Sequence, residues 1–394
     1  MKPVLIAFVF ASTCLSLATG AEDGHAVDDQ LAFEAEMLAP AAPPAAPAAA
    51  TASARFSAGE WGAVINWTPH IPVTAANLPD GRLLTFASNK RTTFPVGAEF
   101  TYAAVWDPKP GAFTEINNGR HDMFCGGTSM LPDGRVAVNG GRNTVRLASA
   151  FDWRSDTWTV LPNMNDPRWY NTSVALPNGG VFTVSGDGGS NTAERWDAGG
   201  VWNRLSGIPW QNVISQPGYL TRWHPLVVVA PDGRLFHGGP TRQMNWLTTE
   251  GSGSLAYSGV NVPGALYPKE GCFAMYDEGR ILMAGGSPST TPNPNDTSSG
   301  TSSTAAFTID IRSATPVVAG TQSMKYPRQF ANSVILPNGE VMIIGGNTSG
   351  LKFSDTGSVL TPEVWNPQSG QWRDLAQHSV PRNDHSVALL LAAG

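Results

Sequence analysis

Six times along this chain a tight turn built on Asp-Gly, Asn-Gly or Glu-Gly separates two apolar runs. Leu78-Pro79-Asp80-Gly81-Arg82-Leu83 returns as Leu131-Pro132-Asp133-Gly134-Arg135-Val136 and as Leu176-Pro177-Asn178-Gly179-Gly180-Val181. It returns again as Ala230-Pro231-Asp232-Gly233-Arg234-Leu235, Tyr276-Asp277-Glu278-Gly279-Arg280-Ile281 and Leu336-Pro337-Asn338-Gly339-Glu340-Val341. Such a pair between apolar runs is the strongest short-range hairpin signal, because these residues accept the positive φ that tight hairpin turns demand. The composition agrees: Gly 42 and Pro 31 in 394 residues, with only 14% charged side chains. That excess of turn formers over helix formers predicts many short strands joined by tight turns.

Each hairpin's second strand closes on small residues: Gly140-Gly141, Ser185-Gly186, Gly238-Gly239, Gly285-Gly286 and Gly345-Gly346. Spaced aromatics follow several of them, as Phe151 then Trp158, Trp196 then Trp202, and Trp365 then Trp372. A double glycine, spaced aromatics and a period near about 50 residues form the kelch pattern. One such unit is a four-stranded sheet that cannot hide its own faces. It packs against its neighbours around an axis, with glycines where backbones crowd. The predicted fold is therefore all-β, a kelch-type β-propeller of six blades plus an incomplete seventh, favoured over a β-sandwich that would not explain the glycine pairs. The seventh unit begins at Ser386-Val387-Ala388-Leu389-Leu390-Leu391, and the sequence stops at Gly394. The expectation is a propeller over residues 56–394 truncated before that blade is complete.

Lys2, the apolar stretch Val4 to Leu17 and the small residues Ala18-Thr19-Gly20-Ala21 read as an export signal over residues 1–21. That apolar run is too short for a stable membrane span. Residues 22–55, acidic and then Ala/Pro-rich, read as a disordered linker. The protein is expected to be secreted, extracellular or periplasmic, and monomeric. A net charge of −6 offers no basic footprint for nucleic acid. Once the signal is removed, Cys125 and Cys272 remain, able to form a disulfide or to stay as buried thiols.

Three segments stand out at hairpin starts, where a propeller's axial loops gather: His121-Asp122-Met123-Phe124-Cys125-Gly126-Gly127, Pro167-Arg168-Trp169-Tyr170-Asn171-Thr172-Ser173, and Pro381-Arg382-Asn383-Asp384-His385-Ser386-Val387. They resemble the active-site segments of galactose oxidase and glyoxal oxidase, the copper-radical oxidases, and the similarity runs from Trp61-Gly62 to the last residue. The resemblance implies that Cys125 cross-links through a thioether to Tyr170. It implies that Tyr170 and His385 bind copper, and that the pair of copper and tyrosyl radical oxidises a primary alcohol, small aldehyde or sugar with O2, releasing H2O2. The family's second, axial tyrosine falls at Asp384, which would then be both ligand and base. The last histidine ligand belongs to a C-terminal immunoglobulin-like domain that this sequence lacks. On the substrate side the resemblance points to Trp169, Phe330, Phe94, Tyr219 and His224. Galactose oxidase's shielding tryptophan falls at Gly188 and its sugar-binding arginine at Leu220. His121 is expected to pack on its loop rather than to bind metal. Two functions stay open: a copper-radical oxidase, inactive as given if Asp384 and the missing ligand disable it, and a non-catalytic propeller binding carbohydrate or a wall partner.

Overall fold

The computed structural model describes residues 58–391 apart from 96, 144, 189–191, 210–214, 217–218, 221–222, 265–267 and 288–300. The expected signal and linker lie outside the described residues. Six four-stranded antiparallel sheets follow one another in chain order, over residues 74–115, 127–161, 172–209, 226–261, 272–320 and 329–374, and are numbered here as blades 1 to 6. A two-stranded ribbon, Ser215–Gln216 with Tyr219–Leu220, lies between blades 3 and 4 in sequence. No helix among the described residues is long and apolar enough to cross a membrane.

The hairpin turns form where expected, with a different internal geometry. In blade 1, the Leu78–Leu83 turn has one residue with a left-handed φ, Gly81 at 87°. Asp80 keeps an ordinary φ and instead accepts the Arg82 amide on Oδ1 at 3.1 Å. The Gly81 amide reaches the Leu78 carbonyl at 3.0 Å and the Leu78 amide reaches the Arg82 carbonyl at 2.8 Å, a type I turn closed by a glycine bulge. The aspartate is there for its carboxylate rather than for an unusual backbone.

Burial follows position in the blade. The second strands Leu83–Phe86, Val136–Asn139, Val181–Val184 and Val341–Asn347 are buried at every residue, since a neighbouring blade covers each face. Outer strands such as Ala112–Glu115 are largely exposed. The core is a series of seams: Phe86, Val138 and Phe151 join blades 1 and 2, Phe182, Leu205 and Leu247 join blades 3 and 4, and Cys272, Ile343 and Trp365 join blades 5 and 6. Each fully buried large side chain in such a seam contributes about 1.5–3 kcal/mol of burial.

Between blades 6 and 1 the last described residues act as a wedge. Leu389 and Leu391 pack on Leu83 and Trp106 of blade 1, while Ala388 and Leu390 pack on Val334 and Met342 of blade 6. That alternation is the period of an extended strand covered on both faces. The Asn77 amide holds the Leu390 carbonyl at 2.9 Å and Asn332 holds the Ser386 hydroxyl at 2.9 Å. The chain's early residues close the same gap from outside. Trp61 donates to the Ala376 carbonyl at 2.6 Å, and Trp67 stacks edge-on to Phe113 at 4.7 Å.

Candidate active site

Each blade after the first is entered through one residue held in the left-handed region. Cys125 (φ 56°), Tyr170 (62°), His224 (47°), Glu270 (56°), Phe330 (60°) and His385 (60°) occupy successive entries. Five of them stand two residues before a blade's or wedge's innermost segment, and Phe330 stands at the matching turn of a longer strand. A left-handed conformation costs a bulky residue about 1–2 kcal/mol, and strain of this kind gathers where a side chain must be aimed. These six are aimed into one place: all line a single cavity of about 800 Å³.

Backbone hydrogen bonds tie the ring together. The Tyr170 amide donates to the Cys125 carbonyl at 3.0 Å, the His224 amide to the Tyr170 carbonyl at 2.9 Å, and the Phe330 amide to the Glu270 carbonyl at 2.9 Å. The repeated glycines set the loops behind it. Gly141, Gly286 and Gly346 each donate to the carbonyl of the arginine preceding a ring residue, Arg168 (2.9 Å), Arg328 (3.0 Å) and Arg382 (2.6 Å). At Gly141, with φ 145°, an added Cβ would overlap the Asp122 carbonyl oxygen. The pair therefore has to be glycine for the neighbouring loop to lie this close.

Cys125 and His385 meet side chain to side chain, Sγ to Nε2 at 3.3 Å. The His385 ring stacks between Phe124 (5.5 Å, 22°) and Phe353 (5.5 Å, 20°), and its Nδ1 faces Asp384 Oδ2 at 3.4 Å. Burial works against a charge on His385, but the Asp384 carboxylate and then the Cys125 sulfur outweigh it and hold the imidazole well above its usual range. Asp384 is the mirror image: burial would raise it, and His385 and Lys352 hold it below the ordinary carboxylate value. Encircling protein, aided by His385, lowers His224 even though its ring faces the cavity.

Tyr170 is packed among aromatic rings. Trp169 lies 4.4 Å away, Trp223 at 5.1 Å, and His224 stands edge-on at 5.4 Å. Phe94 is buried behind the wall, stacked on Phe124 at 4.7 Å, and is not part of the cavity lining. Tyr219 is paired with Gln216 in the two-stranded ribbon, and its side chain lies outside the described residues. His121 is buried, bonded to the Ser149 hydroxyl at 3.0 Å and the Gly140 carbonyl at 2.8 Å, and burial lowers it to about 4. Cys125 and Cys272 are both free and buried, which removes the disulfide alternative.

Trp223, Asp187, Glu270 and Lys352 line the cavity without having been singled out in the sequence. Two of them carried a readable signal. Trp223-His224 repeats the form of Trp169-Tyr170, and Glu270-Gly271-Cys272 the spacing of Cys125-Gly126-Gly127.

Among the described residues no three His, Cys, Asp or Glu side chains converge as a metal cluster. A metal here would have to draw on Tyr170, His385 and Asp384, which line the same cavity. A phenol, an imidazole and a carboxylate form a nitrogen and oxygen donor set that suits tetragonal copper(II), and the Nε2 of His385, turned toward Cys125 rather than toward Asp384, is placed to use it.

Comparison with known proteins agrees with this arrangement. The galactose oxidase of Gibberella zeae is 31% identical over 356 residues, covering 85% of this chain and 51% of that protein. Aldehyde oxidase GLOX1 of Arabidopsis thaliana is 25% identical over 326 residues, covering 73% of this chain and 49% of that protein. The chain spans about half the length of these relatives. A solved structure described as a novel fungal alcohol oxidase of the AA5 family, in complex with copper, superposes with a TM-score of 0.79 at 31% identity, covering 85% of this chain and 71% of the other. Residues 100–394 match the family described as Glyoxal oxidase N-terminus. With its axial ring, its propeller and that match over most of its length, the chain belongs to the family of glyoxal and galactose oxidases.

Proposed function

We propose that this propeller carries the active site of a secreted copper-radical oxidase, which converts a primary alcohol or small aldehyde and O2 into the aldehyde or acid and H2O2. The observation that carries the reading is the meeting of Cys125, Tyr170 and His385 around one cavity of the axial ring, with the sulfur 3.3 Å from an imidazole nitrogen. Tyr170, His385 and Asp384 would hold copper, which when bound supplies one of the two one-electron exchanges that alcohol oxidation requires. The chain's own residues account for the rest. Tyr170 gives up an electron and its phenolic proton, so it stores the second oxidising equivalent. Asp384, kept ionised beside His385, accepts the substrate's hydroxyl proton. It is a weaker base than the phenolate its place has in the family. Phe330 forms an apolar wall of the substrate cavity, and Trp169 and Trp223 keep water from the tyrosine ring. Residues 1–21 act as the export signal and 22–55 as the tether in this reading.

The Cys125–Tyr170 bond forms by loss of the thiol hydrogen and one ring hydrogen, with dioxygen taking both electrons and both protons as H2O2. Copper(II) added in air to the metal-free full-length protein is therefore expected to lower its mass by two hydrogens, mapped to a peptide joining residues 125 and 170. Cys125→Ser should abolish the shift. An unchanged mass in the wild-type protein refutes the reading.

A further inference from the structure

Tyr170 touches two indoles, and each indole carries a cation. The Arg142 guanidinium lies over the Trp169 ring at 4.7 Å from its centroid, and the Lys352 ammonium lies over the Trp223 ring at 4.6 Å. The two cations come from unrelated parts of the chain: Arg142 directly follows the Gly140-Gly141 pair after blade 2's second strand, and Lys352 lies beyond the Gly345-Gly346 pair of blade 6. Arg142 is also placed over Phe94 at 5.1 Å and is 1% exposed, whereas Lys352 lines the open cavity.

Contact of this kind poses a chemical problem for a tyrosine that must hold an oxidising equivalent. Indole is oxidised about as readily as phenol, so an electron vacancy on Tyr170 can pass to a ring at 4.4 or 5.1 Å. Trp223 is the more vulnerable of the two. Its Nε1 donates to the Asp187 carboxylate at 3.1 Å, and a negative charge there favours loss of an electron from the ring. The Trp169 Nε1 donates instead to the neutral Phe124 carbonyl at 3.1 Å. Trp223 also faces the cavity, where reductants and dioxygen could reach it. A positive charge over an indole face is attracted to the intact ring and repels the vacancy that oxidation would leave there.

We infer that Lys352 and Arg142 confine the oxidising equivalent to Tyr170 by making Trp223 and Trp169 harder to oxidise, Lys352 offsetting the pull of Asp187. Both are positioning residues, since they act through the indoles. The inference rests on the proposed redox role of Tyr170, and it does not need bound metal. It explains why a cavity lined by Asp187, Glu270 and Asp384 also holds a lysine set over an aromatic ring.

The test uses the metal-free full-length protein and a one-electron outer-sphere oxidant, hexachloroiridate(IV), which takes the electron while the phenolic proton goes to solvent. Electron paramagnetic resonance identifies the radical, and peptide mass spectrometry scores oxygen addition at Trp223. The wild-type protein is expected to give a tyrosyl signal that Tyr170→Phe removes. In Lys352→Met that signal should decay about tenfold faster, as expected when a charge within about 5 Å is removed, with oxidised Trp223 accumulating. Lys352→Arg should restore the lifetime, and so should Trp223→Phe combined with Lys352→Met, because it removes the acceptor ring. A tyrosyl signal with the same lifetime in wild type and Lys352→Met overturns the inference while leaving the oxidase reading intact. No Tyr170-dependent signal in the wild type overturns both.

Discussion

Tyr170→Phe is expected to abolish peroxide release, by at least about a thousandfold in turnover, because it removes an interaction that no other residue duplicates. The substitution deletes one oxygen and keeps the ring. Phenylalanine can still stack on Trp169 at 4.4 Å and Trp223 at 5.1 Å, and the amide bond to the Cys125 carbonyl is unaffected. Stability should therefore move by less than about 1 kcal/mol, since neither burial nor backbone conformation changes. What disappears is the phenol oxygen that Tyr170 brings to the cavity lined by His385, the group proposed to bind a metal and lose an electron. Turnover measured by peroxide assay, with urea unfolding of the same samples, separates this outcome from simple misfolding. Residual turnover within tenfold of wild type would mean that the reaction does not pass through Tyr170.

The fold was legible because its information is local and repeated. Each Asp-Gly or Asn-Gly turn specifies one hairpin, and the glycine pair after it specifies a close approach to the next loop, as Gly141 does to Arg168. The turn's inner geometry was less legible, since Asp80 contributes a side-chain acceptor where a positive φ was expected. In the site, five of the six ring residues could be nominated: Cys125, Tyr170, His224, Phe330 and His385. Glu270 escaped because Pro268-Lys269-Glu270-Gly271 has a lysine where the other segments place an aromatic residue, a glutamine or an aspartate directly before the ring position, although it keeps the two-residue offset from its strand. Trp223, despite the echo of Trp169-Tyr170 in Trp223-His224, and Lys352 escaped for another reason. Their relation to Tyr170 is set by three different loops meeting on the axis, and no spacing within one segment encodes that. Phe94 shows the converse: a loosely matching aromatic became a packing residue behind Phe124.

The second large effect concerns what holds Tyr170 in its strained turn. Arg168 and Glu194 form an ion pair at 3.1 Å with neither side chain exposed. Arg168 also donates to the carbonyls of Ser185 (3.0 Å) and Thr192 (2.6 Å), while Glu194 accepts the amides of Asn165 (2.7 Å) and Asp166 (3.0 Å). Glu194→Ala leaves a buried guanidinium without its counter-charge and two amides without acceptors, a loss of about 3–5 kcal/mol. Blade 6 repeats the device with Arg328 and Glu363 at 2.8 Å, again fully buried, and with Arg328 bonded to the carbonyls of Gly345 and Thr361. Glu363→Ala should therefore cost a similar amount in urea unfolding. The two variants differ in what they disturb. Arg168 lies two residues before Tyr170, so Glu194→Ala is expected to slow formation of the Cys125–Tyr170 bond as well. Arg328 lies two before Phe330, so Glu363→Ala should leave that bond forming at the wild-type rate while weakening substrate binding. Equal crosslinking rates in both variants would mean that the buried arginines stabilise the blades without aiming the residues that follow them.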